Sequence, residues 1–125
     1  MVKLFKCSLC GNIVEMVHVG GGTLVCCGKE MDELKPNTVD AAQEKHVPVA
    51  EVSGSKVVVK VGSVEHPMTE EHYIAYIWLE TDKGVQKKAL APGQKPEAEF
   101  ALAEGEKPVA VYEYCTLHGF WKSEL

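Results

Sequence analysis

From residue 46 onward, apolar and polar positions alternate in short runs. VPVAEVS (47–53) and KVVVKVG (56–62) flank Gly54-Ser55, a pair suited to a tight hairpin turn. HYIAYIWLET (72–81) is rich in aromatic and β-branched residues, and Asp82-Lys83-Gly84 turns it back into VQKKALA (85–91). PGQKP leads into EAEFALA (97–103), EGEKP leads into VAVYEYC (109–115), and FWKS (120–123) adds a short last strand. This pattern predicts about seven strands with turn residues between them, hence an antiparallel β-sandwich. Helical periodicity is absent apart from one turn expected around Thr69-Glu70-Glu71. The lack of crossover helices argues against a parallel sheet.

The first 35 residues read differently. They hold four of the five cysteines and five of the eleven glycines, and their apolar residues form short patches rather than a core. A unit below about 40 residues usually needs a metal, disulfides or a partner to stay folded. The polar stretch PNTVDAAQE (36–44), opened by a proline, is the expected linker. The chain is therefore read as all-β, with a small metal-dependent domain over residues 1–36 and a sandwich over residues 37–125.

Composition narrows the function classes. A hydrophobic fraction of 46% and a mean hydropathy of -0.08 describe a chain able to bury a core. No apolar run approaches the roughly 20 residues of a membrane span, and no apolar segment precedes the first cysteine as a signal peptide would. The expected compartment is the cytoplasm, where clustered thiols bind metal more readily than they pair. Net charge is -5 and all 13 basic residues are lysine, so the bidentate fork that reads phosphate and guanine is missing. Neither a nucleic acid nor a membrane is an expected partner.

Cys7 and Cys10 form a C-x-x-C knuckle, and Cys26 and Cys27 follow after fifteen intervening residues. Four thiolates at this spacing suit a tetrahedral ion that takes two ligands from each of two turns. Zinc and iron both accept four sulfurs, and two disulfides or a redox dithiol remain as rivals. The second pair is adjacent, and neighbouring side chains of an extended chain point to opposite sides. Both can reach one ion only if the backbone bends there.

The larger region offers His46 in EKHVP, His66 in VEHPM, His72 in EEHYI and His118 in CTLHG, each at a strand end or in a loop. His18, in a glycine-rich stretch, is read as a bystander. Singly, each histidine has an ordinary explanation as a solvated imidazole, and Cys115 as a small buried apolar residue. Together with Cys115, three residues before His118, they make five nitrogen and sulfur donors. Zinc would take four and stop, so five donors point to iron, copper or another redox metal with one position left over.

CSLC and CCG near the N-terminus, then EKH, EHP, a histidine six residues on, and CTLHG resemble desulfoferrodoxin, the two-iron form of superoxide reductase. The resemblance runs the length of the chain; Glu30 stands where a proline is expected. It implies a desulforedoxin-like domain with iron on Cys7, Cys10, Cys26 and Cys27, and an immunoglobulin-like sandwich with a catalytic iron. That iron would have His46, His66, His72 and His118 in a plane and Cys115 axial, with His118 binding through Nδ1 and the others through Nε2. The implied reaction is one-electron reduction of superoxide to hydrogen peroxide, without dioxygen production. Lys45 would attract the superoxide anion, and Glu44 would occupy the sixth position of the ferric state and leave on reduction. The resemblance further implies a rubredoxin-like electron donor and a homodimer.

Other readings of the same residues stay open at this point. Both metals could be coordinatively closed, making a non-enzymatic electron carrier, or both could be structural zinc in an interaction module. Cys115 and His118 could form a thiolate–imidazole pair for nucleophilic catalysis, although the three further histidines are not needed for that chemistry.

Overall fold

A computed structural model describes residues 1–125 as two compact units, Met1–Lys35 and Pro36–Leu125. In the first unit, β1 (Leu4–Lys6) lies between β2 (Ile13–Glu15) and β5 (Asp32–Leu34) in an antiparallel sheet. A separate ribbon pairs β3 (Val25–Cys26) with β4 (Lys29–Glu30). Of this unit's side chains, Val2, Leu4 and Cys7 are buried. Three side chains make a very small core, and the cysteines lie between the three-stranded sheet and the ribbon.

The second unit contains β6 (Pro48–Ser53), β7 (Lys56–Val61), β8 (Ile74–Thr81), β9 (Gly84–Ala89), β10 (Glu97–Ala101), β11 (Pro108–Cys115) and β12 (Gly119–Glu124). Two antiparallel sheets form, in the orders β10-β7-β6 and β12-β11-β8-β9. Period-two alternation sets the core: Val57, Val59 and Val61 of β7 and Ala98 and Phe100 of β10 meet Ile77 and Leu79 of β8 and Val111 and Cys115 of β11. Side chains of β9 close one flank of the sandwich, where Gln86 donates to the Ala101 carbonyl at 2.8 Å and Lys88 donates to the Glu99 carbonyl. That arrangement satisfies edge acceptors which would otherwise invite another strand. No helix is long and apolar enough to cross a membrane.

Two local expectations are corrected. The helical turn lies at α1 (Gln43–His46), not at Thr69–Glu71. Thr69 and His72 instead exchange backbone hydrogen bonds at 3.0 and 3.2 Å, a tight turn that presents the imidazole. The stretch read as a linker is also partly built into the sandwich: Asn37 bonds the Phe120 carbonyl and both polar groups of the Lys122 backbone. Its amide mimics a strand partner along the outer edge of β12.

The register then gathers the chain's chemistry at one end. Pro48 pairs with Val61, and Cys115 pairs with both Ile74 and Gly119. Antiparallel pairing therefore puts the starts of β6, β8 and β12 beside the ends of β7 and β11. His46, His66, His72, Cys115 and His118 all lie at those junctions.

Candidate metal centres

In the first unit the sulfurs of Cys7, Cys10, Cys26 and Cys27 all lie within 4.8 Å of one another. Cys10 Sγ and Cys26 Sγ are 3.6 Å apart, against about 3.8 Å for two thiolates on a tetrahedral ion with metal–sulfur bonds of about 2.3 Å. The bend required at the adjacent pair is a two-residue turn between β3 and β4, with Cys27 at φ 53 and Gly28 at φ 73. Both central residues of a type I′ turn need positive φ, so Cys27 adopts a conformation that non-glycine residues rarely take. This turn swings both sulfurs to one side. The opposite knuckle closes through Gly11 N–H to the Cys7 carbonyl at 3.0 Å. Backbone N–H groups of Cys10 and Asn12 point at Cys7 Sγ and Cys10 Sγ, each at 3.5 Å. The N–H groups of Cys10, foremost, and Leu9 lower the Cys7 pKa to about 6 and favour its thiolate.

At the end of the sandwich four imidazoles form a quadrilateral. Neighbouring ring centroids are 4.6–4.9 Å apart in the sequence His46, His66, His72, His118, and the His46–His72 diagonal is 6.3 Å. Adjacent rings stand nearly perpendicular, and His46, His66 and His72 each bring one ring nitrogen within 4.8 Å of the others and of Cys115 Sγ. His46 Nε2 lies 3.2 Å from His66 Nε2 and 3.1 Å from His118 Nδ1. Two nitrogens at right angles on an ion with bonds of about 2.1 Å would be separated by about 3.0 Å. Cys115 Sγ sits 3.4 Å from His66 Nε2 and accepts the His118 N–H at 3.3 Å.

One atom tests whether a metal belongs there. His72 Nε2 is buried and has no hydrogen-bond partner. A buried polar atom left unsatisfied costs on the order of 1–3 kcal/mol, which a metal bond would remove. Backbone acceptors also select the tautomers: Nδ1–H of His46 donates to the Ala42 carbonyl at 2.7 Å and Nδ1–H of His66 to that of Pro67 at 2.6 Å. Both Nε2 atoms are left with a free lone pair. Burial lowers the pKa of His46, His66 and His72, that of His66 to about 4, which keeps the imidazoles neutral and ready to ligate. Burial pushes the Cys115 thiol up, opposed by the N–H groups of His118 and Leu117. Four imidazoles and one thiolate in this geometry fit iron.

Glu44 and Lys45 stand exposed on α1, directly before His46, and the Lys45 charge adds to burial in lowering the pKa of His46 and His72. His18 is exposed and belongs to neither cluster.

Two other residues at this end carry no signature in the sequence pattern. Trp121 is buried, stacks on His46 and donates its indole N–H to the His118 carbonyl at 3.0 Å. Glu113 projects to the same inward face as Cys115, and neither of its carboxyl oxygens has a partner. Burial pushes its pKa well above the carboxylate range.

Known proteins share this organisation. The family model for the desulfoferrodoxin N-terminal domain matches residues 1–34, and that for desulfoferrodoxin matches residues 38–124. Desulfoferrodoxin of Syntrophotalea carbinolica is 55% identical over 123 residues, covering 98% of this chain and 96% of that protein. The crystal structure of the superoxide reductase from Treponema pallidum superposes with a TM-score of 0.83 at 43% identity, covering 99% of each chain. The one-iron superoxide reductase from Giardia intestinalis covers 66% of this chain and 99% of its own, with a TM-score of 0.56 and 38% identity. Since both domain models match in order along a single chain whose cysteine and histidine clusters have the geometry just described, the chain belongs to the desulfoferrodoxin family.

Proposed function

We propose that this protein is a superoxide reductase with two iron centres. One iron is held by Cys7, Cys10, Cys26 and Cys27 in a domain of residues 1–36. The other is held by His46, His66, His72, His118 and Cys115 in a domain of residues 37–125. The observation that carries the reading is the second cluster, in which four convergent imidazoles meet a buried thiolate and one of them, His72, has its Nε2 buried without a partner. Five protein donors leave an octahedral ion one position for a small ligand.

Iron held by His46, His66, His72, His118 and Cys115 would, in its ferrous form, supply the one electron that, with two protons, converts superoxide to hydrogen peroxide. The chain's own groups prepare the site. Nδ1–H bonds to the carbonyls of Ala42 and Pro67 lock His46 and His66 with their Nε2 lone pairs directed inward. Cys115, buried and steadied by the His118 N–H, would donate electron density that favours oxidation of a bound metal. Lys45 places a positive charge at the exposed rim of a chain whose net charge is -5, and so attracts a small anion that the whole protein would repel. Glu44, its exposed neighbour, would supply a carboxylate to the oxidised metal and release it on reduction.

Each superoxide consumes one electron, so a donor is required, and a rubredoxin-like protein suits a one-electron iron site. The first centre, with Cys10 and Cys27 exposed, stores or relays electrons. The protein acts as a homodimer in the cytoplasm, where its thiols stay reduced.

A product count tests the function. The iron-loaded protein is reduced anaerobically, freed of excess reductant and given substoichiometric superoxide. A reductase yields one peroxide per superoxide and no dioxygen. Half a peroxide with half a dioxygen, the yield of disproportionation, would overturn the reading and favour a closed electron carrier.

A further inference from the structure

The turn Gly62–Glu65 runs from the end of β7 to His66, and it also packs beneath α1. A Cβ at Gly62 would stand 2.6 Å from the Glu44 carbonyl oxygen, and 3.0 Å from both the Lys45 carbonyl carbon and the Val47 carbonyl oxygen. Those atoms are backbone and cannot rotate away. The demand for glycine here comes from its neighbours, because no left-handed φ is involved. Two hydrogen bonds add to the contact: Val64 N–H and the Ser63 hydroxyl both donate to the Glu44 carbonyl, at 2.9 and 3.2 Å. In a one-turn helix that carbonyl has no partner within the helix; only Gln43 receives the closing bond, from Val47 N–H at 2.9 Å.

Lys45 therefore sits between two carbonyls, those of Glu44 and Val47, that both press on Gly62. We propose that Gly62, with Ser63 and Val64, is the positioning element for Lys45: a backbone without a side chain, at contact distance, holds the turn so that Lys45 stays at the rim of the histidine cluster. The inference rests on the proposed role of Lys45 in attracting superoxide. A turn displaced by several tenths of an ångström would carry the ammonium group away from the anion's approach. Misplacement of about 1 Å can cost on the order of 10²-fold in rate.

The test is a double-mutant cycle on the iron-loaded protein, using wild type, Gly62→Ala, Lys45→Ala and the double variant. Gly62→Ala is expected to keep iron in both centres and to react with superoxide about tenfold more slowly. It should add no further slowing in the Lys45→Ala background, because both changes act through the same ammonium group. In the iron-free protein, the Val64 amide of Gly62→Ala should exchange with deuterium at least about tenfold faster as its bond to Glu44 is lost. An unchanged rate in Gly62→Ala, equal slowing in both backgrounds, or loss of iron from the second centre would each overturn the inference. If Lys45→Ala slows the reaction and Gly62→Ala does not, the inference fails while the role of Lys45 stands. If Lys45→Ala reacts at the wild-type rate, both fall, and the peroxide yield still decides the reductase reading. Should Gly62→Ala not fold, the same cycle with Ser63→Ala, an exposed position, should show about threefold slowing from the lost hydrogen bond; a wild-type rate there counts against the inference.

Discussion

The indole of Trp121 stacks on the imidazole of His46, with ring centroids 5.1 Å apart and planes 25° from parallel. Its N–H is committed to the carbonyl of His118. One buried side chain thus contacts the ring of His46 and the backbone of His118, ligand candidates 72 residues apart in the sequence. Truncating it in Trp121→Leu should weaken iron retention at the second centre by about tenfold or more, the usual scale for losing a group that orients a ligand. Trp121→Phe keeps a ring against His46 and should fall between. Chelator competition measures this, with the four-cysteine centre as internal reference; retention equal to wild type in Trp121→Leu would rule out the bracing role.

Cys115 is fully buried and in contact with the histidine cluster. In Cys115→Ser the ferric protein should lose its sulfur-to-iron charge-transfer colour and most of its reaction with superoxide, because a hydroxyl is a poorer electron donor than a thiolate. Absorption spectra and stopped-flow rates on one preparation decide it. Survival of both signals would remove Cys115 from the ligands.

Glu113 lies inside the sandwich with both carboxyl oxygens unpartnered. Glu113→Leu keeps similar volume and removes the buried polar group, so the iron-free protein should become more stable by about 1–3 kcal/mol. Chemical denaturation followed by tryptophan fluorescence reads this directly. A midpoint at or below wild type would show that the carboxyl is satisfied in solution.

At the other end of the sandwich, Glu106 accepts from the Thr81 hydroxyl at 2.5 Å and from Ala103 N–H at 2.8 Å. Those donors, the hydroxyl foremost, hold its pKa below the ordinary value of 4.5. The native state therefore prefers the ionised form, and the unfolded chain binds more protons as acid is added. The contribution is complete above the ordinary value and lost as pH falls through the lowered one. Glu106→Gln should show a shallower acid limb in a plot of stability against pH, and superimposable limbs would dismiss the contribution.

Much of the sandwich could be read from alternation. Val57, Val59 and Val61 face the core because strand side chains repeat every two residues, and the sequence displays that period openly. The one-turn helix escaped because Gln43–His46 is too short to show any period; it is held by the turn at Gly62–Val64, far along the chain. Asn37 escaped for a related reason, since its partner Lys122 is 85 residues away.

The sequence by itself determined which atoms are available: four cysteines in two tight pairs, and four histidines with a fifth cysteine at strand ends. Chemical identity and local spacing are properties of the chain, so donor types and turn residues were legible there. Tertiary structure decided the rest. Antiparallel pairing brought junctions from five strands to one end, where His46 and His66 come within 3.2 Å and His72 Nε2 is buried without a partner. It also set Trp121 against His46 and Gly62 against the backbone of Glu44. Those contacts depend on register and on packing between strands distant in sequence, and no local pattern encodes them.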